Sequence, residues 1–206
     1  MTKKMFLCSM FHNVRKLLPQ FAGELTGKRV TYIPTASIAE TGGRFMSRTE
    51  GRALAKLGLT VDELELSKAT PAEAADKLKH NDMIYVAGGN TFFLLQELKR
   101  TGADKVIVQE VNAGKLYIGE SAGSVITAPD IKYIGLMDSA AKAPELTDYS
   151  ALHLLDFYVL PHYISFPYKK QARHIYEVYA NKIPLKPISN NQVVLVNGEQ
   201  IKIAEK

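Results

Sequence analysis

Residues 116–124 read Leu116-Tyr117-Ile118-Gly119-Glu120-Ser121-Ala122-Gly123-Ser124. An apolar run ending in G-x-S-x-G predicts a buried strand that turns sharply into a helix, the signature element of an α/β sheet. Gly119 and Gly123 leave room for a serine held in a strained backbone conformation, its hydroxyl above the sheet edge. The amide of Ala122, first in the following helix, points at the same spot and is a candidate oxyanion donor. A plain strand-to-helix loop explains the five residues equally well, so the surrounding chain has to decide.

On the N-terminal side, strand and helix patterns alternate. Met5–Met10 reads as a first strand, followed by an amphipathic helix around Val14–Leu25 and a stop at Gly27. Val30–Ile33 is a second strand ended by Pro34, and after Gly42-Gly43 the segment Phe45–Leu57 has helical spacing up to Gly58. Leu59–Leu66 alternates as a third strand, and Thr70-Pro71-Ala72-Glu73 is a capping-box helix start. Met83–Ala87 is a fourth strand running into Gly88-Gly89-Asn90-Thr91. Helices at Phe92–Gly102 and Asp104–Asn112 then lead to the fifth strand, Leu116–Gly119. On the C-terminal side, Ile131–Leu136 reads as a short strand and Phe157–Leu160 as a sixth, ending in Pro161-His162-Tyr163. Tyr168–Asn181 is an amphipathic helix, and Val193–Val196, Asn197-Gly198 and Gln200–Ile203 form a hairpin. Short strands alternating with helices imply a doubly wound, mostly parallel sheet covered on both faces, with a C-terminal β-hairpin. Without a linker, repeat or change of composition, residues 1–206 read as a single domain.

The 206 residues are 46% hydrophobic and 23% charged, enough apolar surface for a substantial core. The net charge of +5 is spread along the chain in pairs such as Lys3-Lys4 and Lys169-Lys170, which argues against a nucleic-acid partner. One cysteine, Cys8, excludes an internal disulfide. The N-terminal apolar run is too short for a membrane span and lacks a cleavage site, so a cytoplasmic protein with no membrane partner is expected. No H-E-x-x-H or comparable ligand spacing occurs, so neither metal nor other cofactor is expected.

In open parallel sheets, sites form beyond the carboxyl ends of the strands. Gly88-Gly89-Asn90, Ser121 and His162 each follow a strand, and adjacency of those strands would gather them in one crevice. Gly88-Gly89 is either a tight turn with Asn90 as helix cap or a second source of oxyanion amides beside Ala122, and the two readings are compatible. His12, His80, His153 and His174 look like solvated or structural positions, whereas His162 sits behind a proline directly after a strand. A serine needs a base within hydrogen-bond reach and a group that orients the base. Among Asp130, Asp138, Glu145, Asp148 and Asp156, Asp138 is chosen because it follows the expected Ile131–Leu136 strand.

Ala87-Gly88-Gly89-Asn90-Thr91-Phe92, then Leu116-Tyr117-Ile118-Gly119-x-Ser121-Ala122-Gly123, then Pro161-His162-Tyr163 resembles the peptidase E (α-aspartyl dipeptidase) family of serine peptidases. The resemblance runs through the chain and is strongest from Met83 to Pro129. It implies a fold like that of class I glutamine amidotransferases and hydrolysis of short peptides, in the type enzyme dipeptides with N-terminal aspartate. It also implies Ser121 as nucleophile, His162 as base and Asp138 near the place of the acidic member. An aspartate pocket needs a cation. The family's arginine falls in the helix after the histidine, where this chain reads Tyr168-Lys169-Lys170-Gln171-Ala172-Arg173. Lys170 and Arg173, with Asn90, are the candidate substrate-binding residues, and surface charge is the alternative for the first two. A monomer or small homo-oligomer is expected. The rival readings are a small esterase and a non-catalytic binding or sensing protein on the same fold.

Overall fold

The computed structural model describes residues 2–206, with the side chains at 44–47 outside the described part. Its strands are β1 (Lys4–Cys8), β2 (Arg29–Ile33), β3 (Thr60–Glu63), β4 (Met83–Val86), β5 (Leu116–Glu120), β6 (Tyr158–Leu160), β7 (Leu185–Pro187), β8 (Gln192–Asn197) and β9 (Gln200–Glu205). Its helices are α1 (Phe11–Val14), α2 (Leu18–Ala22), α3 (Thr35–Ile38), α4 (Gly43–Ala55), α5 (Pro71–His80), α6 (Thr91–Thr101), α7 (Ala103–Asn112), α8 (Ala122–Val125) and α9 (Lys169–Tyr179). Seven strands make one sheet in the order β3-β2-β4-β5-β1-β8-β9. The first five are mutually parallel, whereas β8 and β9 run antiparallel.

The strand sequences explain the two-sided covering. Side chains alternate across a strand, and Met5, Leu7, Ile84, Val86 and Tyr117 join one buried cluster with Leu94, Leu98 and Ile107 of α6 and α7. Their neighbours Phe6, Cys8, Met83, Tyr85 and Ile118 join a second cluster with Phe11, Val14, Leu18 and Leu54. Central parallel strands therefore read as continuous apolar runs because neither face meets water. The Thr70 capping box closes α5 as expected: the Thr70 hydroxyl accepts from the Glu73 amide and the Glu73 carboxylate from the Thr70 amide.

Four expectations are corrected. The helix around 14–25 is split into α1, a 3-10 turn at Arg15–Leu17 and α2, because Pro19 has no amide to carry a longer ladder and stands in the first turn of α2. The expected strand at Ile131–Leu136 is a 3-10 turn, Lys132–Leu136. Both edges of β5 are already taken, by β4 and β1, leaving nothing beside it for a further strand to pair with. The sixth strand forms, but outside the main sheet, in a parallel pair with β7. In the hairpin, Asn197 pairs with Gln200, so the central residues are Gly198 and Glu199. Gly198 takes the positive φ of 61° at the first central position, where a II′ turn favours glycine.

Candidate active site

The carboxyl ends of β1, β2, β4 and β5 open into a cavity of about 300 Å³. Ser9, Ser37, Gly88, Gly89 and Ser121, each shortly after one of these strands, contribute to its wall. At its centre the chain turns from β5 into α8 through Ser121, whose φ of 48° and ψ of −107° lie where a non-glycine residue is strained by about 1–3 kcal/mol. The turn is held from several sides. The Ser121 amide donates to the Cys8 carbonyl at 2.8 Å, and the Ser124 hydroxyl reaches the Cys8 and Gly119 carbonyls at 2.9 and 2.8 Å. Gly123 packs so closely on β4 that a Cβ there would lie 2.1 Å from the Val86 carbonyl oxygen. No side chain caps α8, and its first amide, that of Ala122, has no acceptor within the helix. Gly88 lies alongside, where a Cβ would stand 3.1 Å from the Cβ of Ser121.

His162 arrives from the small β6–β7 pair. That pairing aligns Leu160 with Pro187 and continues beyond the strands, with the Ile188 amide donating to Leu160 and the Tyr163 amide to Ile188. Residues shortly after each strand are thereby brought level. Ser9, at the end of β1, fastens both to the main sheet: its hydroxyl accepts from the His162 amide at 3.1 Å and donates to the Ile188 carbonyl at 3.2 Å. The result is a line of three side chains. Ser121 Oγ is 2.9 Å from His162 Nε2, and His162 Nδ1 is 2.7 Å from Asn190 Oδ1. The Asn190 amide nitrogen donates to the Phe166 carbonyl at 3.3 Å, which turns its oxygen toward the ring. Nδ1 then carries the proton, and Nε2 is the acceptor facing the Ser121 hydroxyl. Burial holds the imidazole below its ordinary pKa, against a smaller upward pull from Asn190, so it is neutral at pH 7.

Asp138, expected as the third member, stands elsewhere. Its carboxylate accepts from the backbone amide and hydroxyl of Thr91 and so closes the N-terminus of α6, where a negative charge is favoured. Burial raises its pKa to about 6. Asn90 is the N-cap of the same helix, accepting from the Phe93 amide and donating to the Ser139 carbonyl, and it is 1% exposed. Lys170 and Arg173 lie on the exposed side of α9, Arg173 pairing with Glu177 at 3.1 Å, and neither lines the cavity. The described wall instead contains Glu40, Glu50 and Glu120. Glu40 is paired with Lys142 at 2.7 Å. Beneath Ser121, Glu120 accepts from the Phe11 amide and the Tyr85 hydroxyl and is hydrogen-bonded to Glu50, which also accepts from Tyr32. Burial and the neighbouring Glu120 charge push Glu50 up to about 9, so Glu50 is the proton donor of the pair at pH 7.

Sequence reasoning missed Asn190, Ser9 and the glutamate pair. Leu185-Lys186-Pro187 carries no strand pattern, and a neutral amide stands where the triad pattern expects a carboxylate. The one available signal was the polar Ser189-Asn190-Asn191 run directly before the clearest hairpin in the chain.

The model of peptidase family S51 matches residues 6–204. An uncharacterized peptidase of Pasteurella multocida (PM1590) is 51% identical over 197 residues, which cover 96% of this chain and 95% of that protein. Peptidase E of Salmonella arizonae is 33% identical over 147 residues, 71% of this chain and 60% of that protein. A crystal structure from Listeria monocytogenes EGD-e, provisionally named as a peptidase E, superposes over the whole of both chains with a TM-score of 0.93 at 48% identity.

Proposed function

Because the chain belongs to peptidase family S51, we propose that it is a serine-type peptidase that hydrolyses short peptides, dipeptides among them, through an acyl-enzyme on Ser121. One observation carries the reading: the 2.9 Å contact between Ser121 Oγ and His162 Nε2, in a cavity whose size suits a short peptide. His162 takes the Ser121 proton as Oγ attacks the scissile carbonyl. Asn190 keeps the proton on Nδ1 and the ring in line. The amides of Ala122 and of Gly88 or Gly89 hold the oxyanion, and His162 then gives its proton to the leaving amine. Water, activated by the same nitrogen, releases the acid. The depressed imidazole pKa suits a base that must be unprotonated at neutral pH.

Aspartate preference is not part of the reading, because the two candidate cations, Lys170 and Arg173, do not line the cavity, whereas Glu40, Glu50 and Glu120 do. The cytoplasm is the proposed compartment: the one thiol, Cys8, is buried and free, as a reducing environment allows. Among the described residues no helix is long and apolar enough to cross a membrane.

Ser121→Ala tests the mechanism. Peptide hydrolysis and fluorophosphonate labelling should both disappear, with an unchanged circular-dichroism spectrum, since losing the nucleophile costs about 10⁴-fold or more. Hydrolysis at the parent rate would refute it.

A further inference from the structure

Beyond His162 the chain runs through a short segment, 163–168, before α9 begins. Phe166, Pro167 and Tyr168 of this segment line the same cavity as Ser121. The Tyr168 ring lies 5.0 Å from the His162 ring, tilted by 40°. Phe166 is 88% exposed, an uncommon position for a large apolar ring beside a cavity.

The segment is fixed in place. The Ser165 amide donates to the His162 carbonyl at 3.0 Å, the Asn190 amide donates to the Ser165 hydroxyl at 3.1 Å, and the Asn190 side chain holds the Phe166 carbonyl. The Asn190 side chain that orients the imidazole therefore also holds the apolar wall beside it.

The direction of the chemistry decides which part of a substrate meets this wall. His162 must hand its proton to the leaving nitrogen, so the residue carrying that nitrogen lies on the imidazole side of the cavity. Phe166, Pro167 and Tyr168 follow His162 in the chain and line the cavity, with the Tyr168 ring 5.0 Å from the imidazole. The carboxylates Glu40 and Glu50 belong to the segments after β2 and in α4.

We propose that Phe166, Pro167 and Tyr168 form the subsite for the side chain of the leaving residue, and that it selects apolar side chains there. The inference rests on the hydrolytic reading above and adds to it which peptides are cut: those whose second residue is leucine- or phenylalanine-like. Covering Phe166 removes its exposed apolar surface from water, and that gain is absent for glycine.

The test is a dipeptide panel with Gly, Ala, Leu or Phe second, each behind Ala, Asp, Ser or Lys first, run on the parent, Phe166→Ala and Phe166→Leu. The parent should prefer Leu or Phe over Gly in second place by about tenfold in kcat/KM. Phe166→Ala should reduce that ratio to about twofold, the Leu and Phe rates falling several-fold further than the Gly rate, and Phe166→Leu should restore most of it. A general loosening of the site would instead lower all four alike. Equal parent rates across the second position, or a ratio unmoved in Phe166→Ala, would overturn the subsite and leave the mechanism standing. Hydrolysis of no dipeptide in the panel would overturn the hydrolytic reading and the subsite together.

Discussion

Replacing Asn190 tests whether a neutral amide orients the base. In the structure its Oδ1 accepts from the buried Nδ1 of His162 at 2.7 Å. Asn190→Ala leaves that N–H without a partner in a desolvated site and lets the ring exchange tautomers or swing from Ser121. An unsatisfied buried donor costs about 1–3 kcal/mol, and if the whole penalty falls on the transition state, kcat should drop by about 5- to 150-fold. KM should change less, since the side-chain oxygen of Asn190 is engaged by His162 Nδ1 and its side-chain nitrogen by the Phe166 carbonyl. Asn190→Asp makes the complementary point. A carboxylate at the same atom stabilises the imidazolium, so the His162 pKa rises. The unprotonated ring is the active form. The parent's acid limb should therefore lie below the range of a solvated histidine, because burial depresses the pKa, and in Asn190→Asp the limb should move to higher pH. Initial rates on the best dipeptide from pH 5 to 9, with thermal melts on the same samples, check both variants. An Asn190→Ala rate within twofold of the parent, together with an unmoved acid limb in Asn190→Asp, would refute the reasoning.

Asp138→Ala should lower the melting temperature, since it removes the acceptor that closes α6 at Thr91 and so costs about 1 kcal/mol, yet leave the pH–rate profile in place. A displaced acid limb would return Asp138 to the catalytic machinery. Glu50→Gln should stabilise the fold increasingly with pH. The folded carboxyl ionises only near 9, against 4.5 in the ordinary case. Its contribution is thus fully present below about 4.5 and declines as pH rises toward 9, by up to about 1.4 kcal/mol per pH unit. Glutamine keeps one donor toward Glu120 and an acceptor for Tyr32 without ionising. Urea midpoints at pH 5.5 and 8.5 would contradict this if the difference between variant and parent were the same at both.

The parts of the site that were legible in the sequence are those whose chemistry is local. Ser121 announces itself because a tight turn demands small neighbours, as the 2.1 Å clearance at Gly123 shows. The convergence of Gly88 with Ser121 follows from parallel strands ending on one side of a sheet, and β4 and β5 are indeed neighbours. His162 was found by its place after an apolar run, although that run pairs with β7 and not with the main sheet. Asn190 could not be found this way. Its position depends on a three-residue strand that Pro184 precedes and Pro187 ends, whose pairing is set by tertiary contacts rather than by pattern. Asp138 was chosen from a strand that does not exist, and the residue serves a helix end instead. Asn90 and Arg173 show the same limit from the other side: a polar residue near a motif is satisfied by its own helix in this fold.

The position of β1 between β5 and β8 has a consequence for how this chain comes off the ribosome. During synthesis β1 lies unpaired until residues 116–120 appear, and keeps one open edge until residues 192–197 follow. Pairings so distant along the chain make for slow folding. They also delay competence, because the amide that steadies the base is delivered only a few residues before that closing strand. A nascent chain that already carries Ser121 therefore cannot complete the line Ser121–His162–Asn190 until Asn190 has followed.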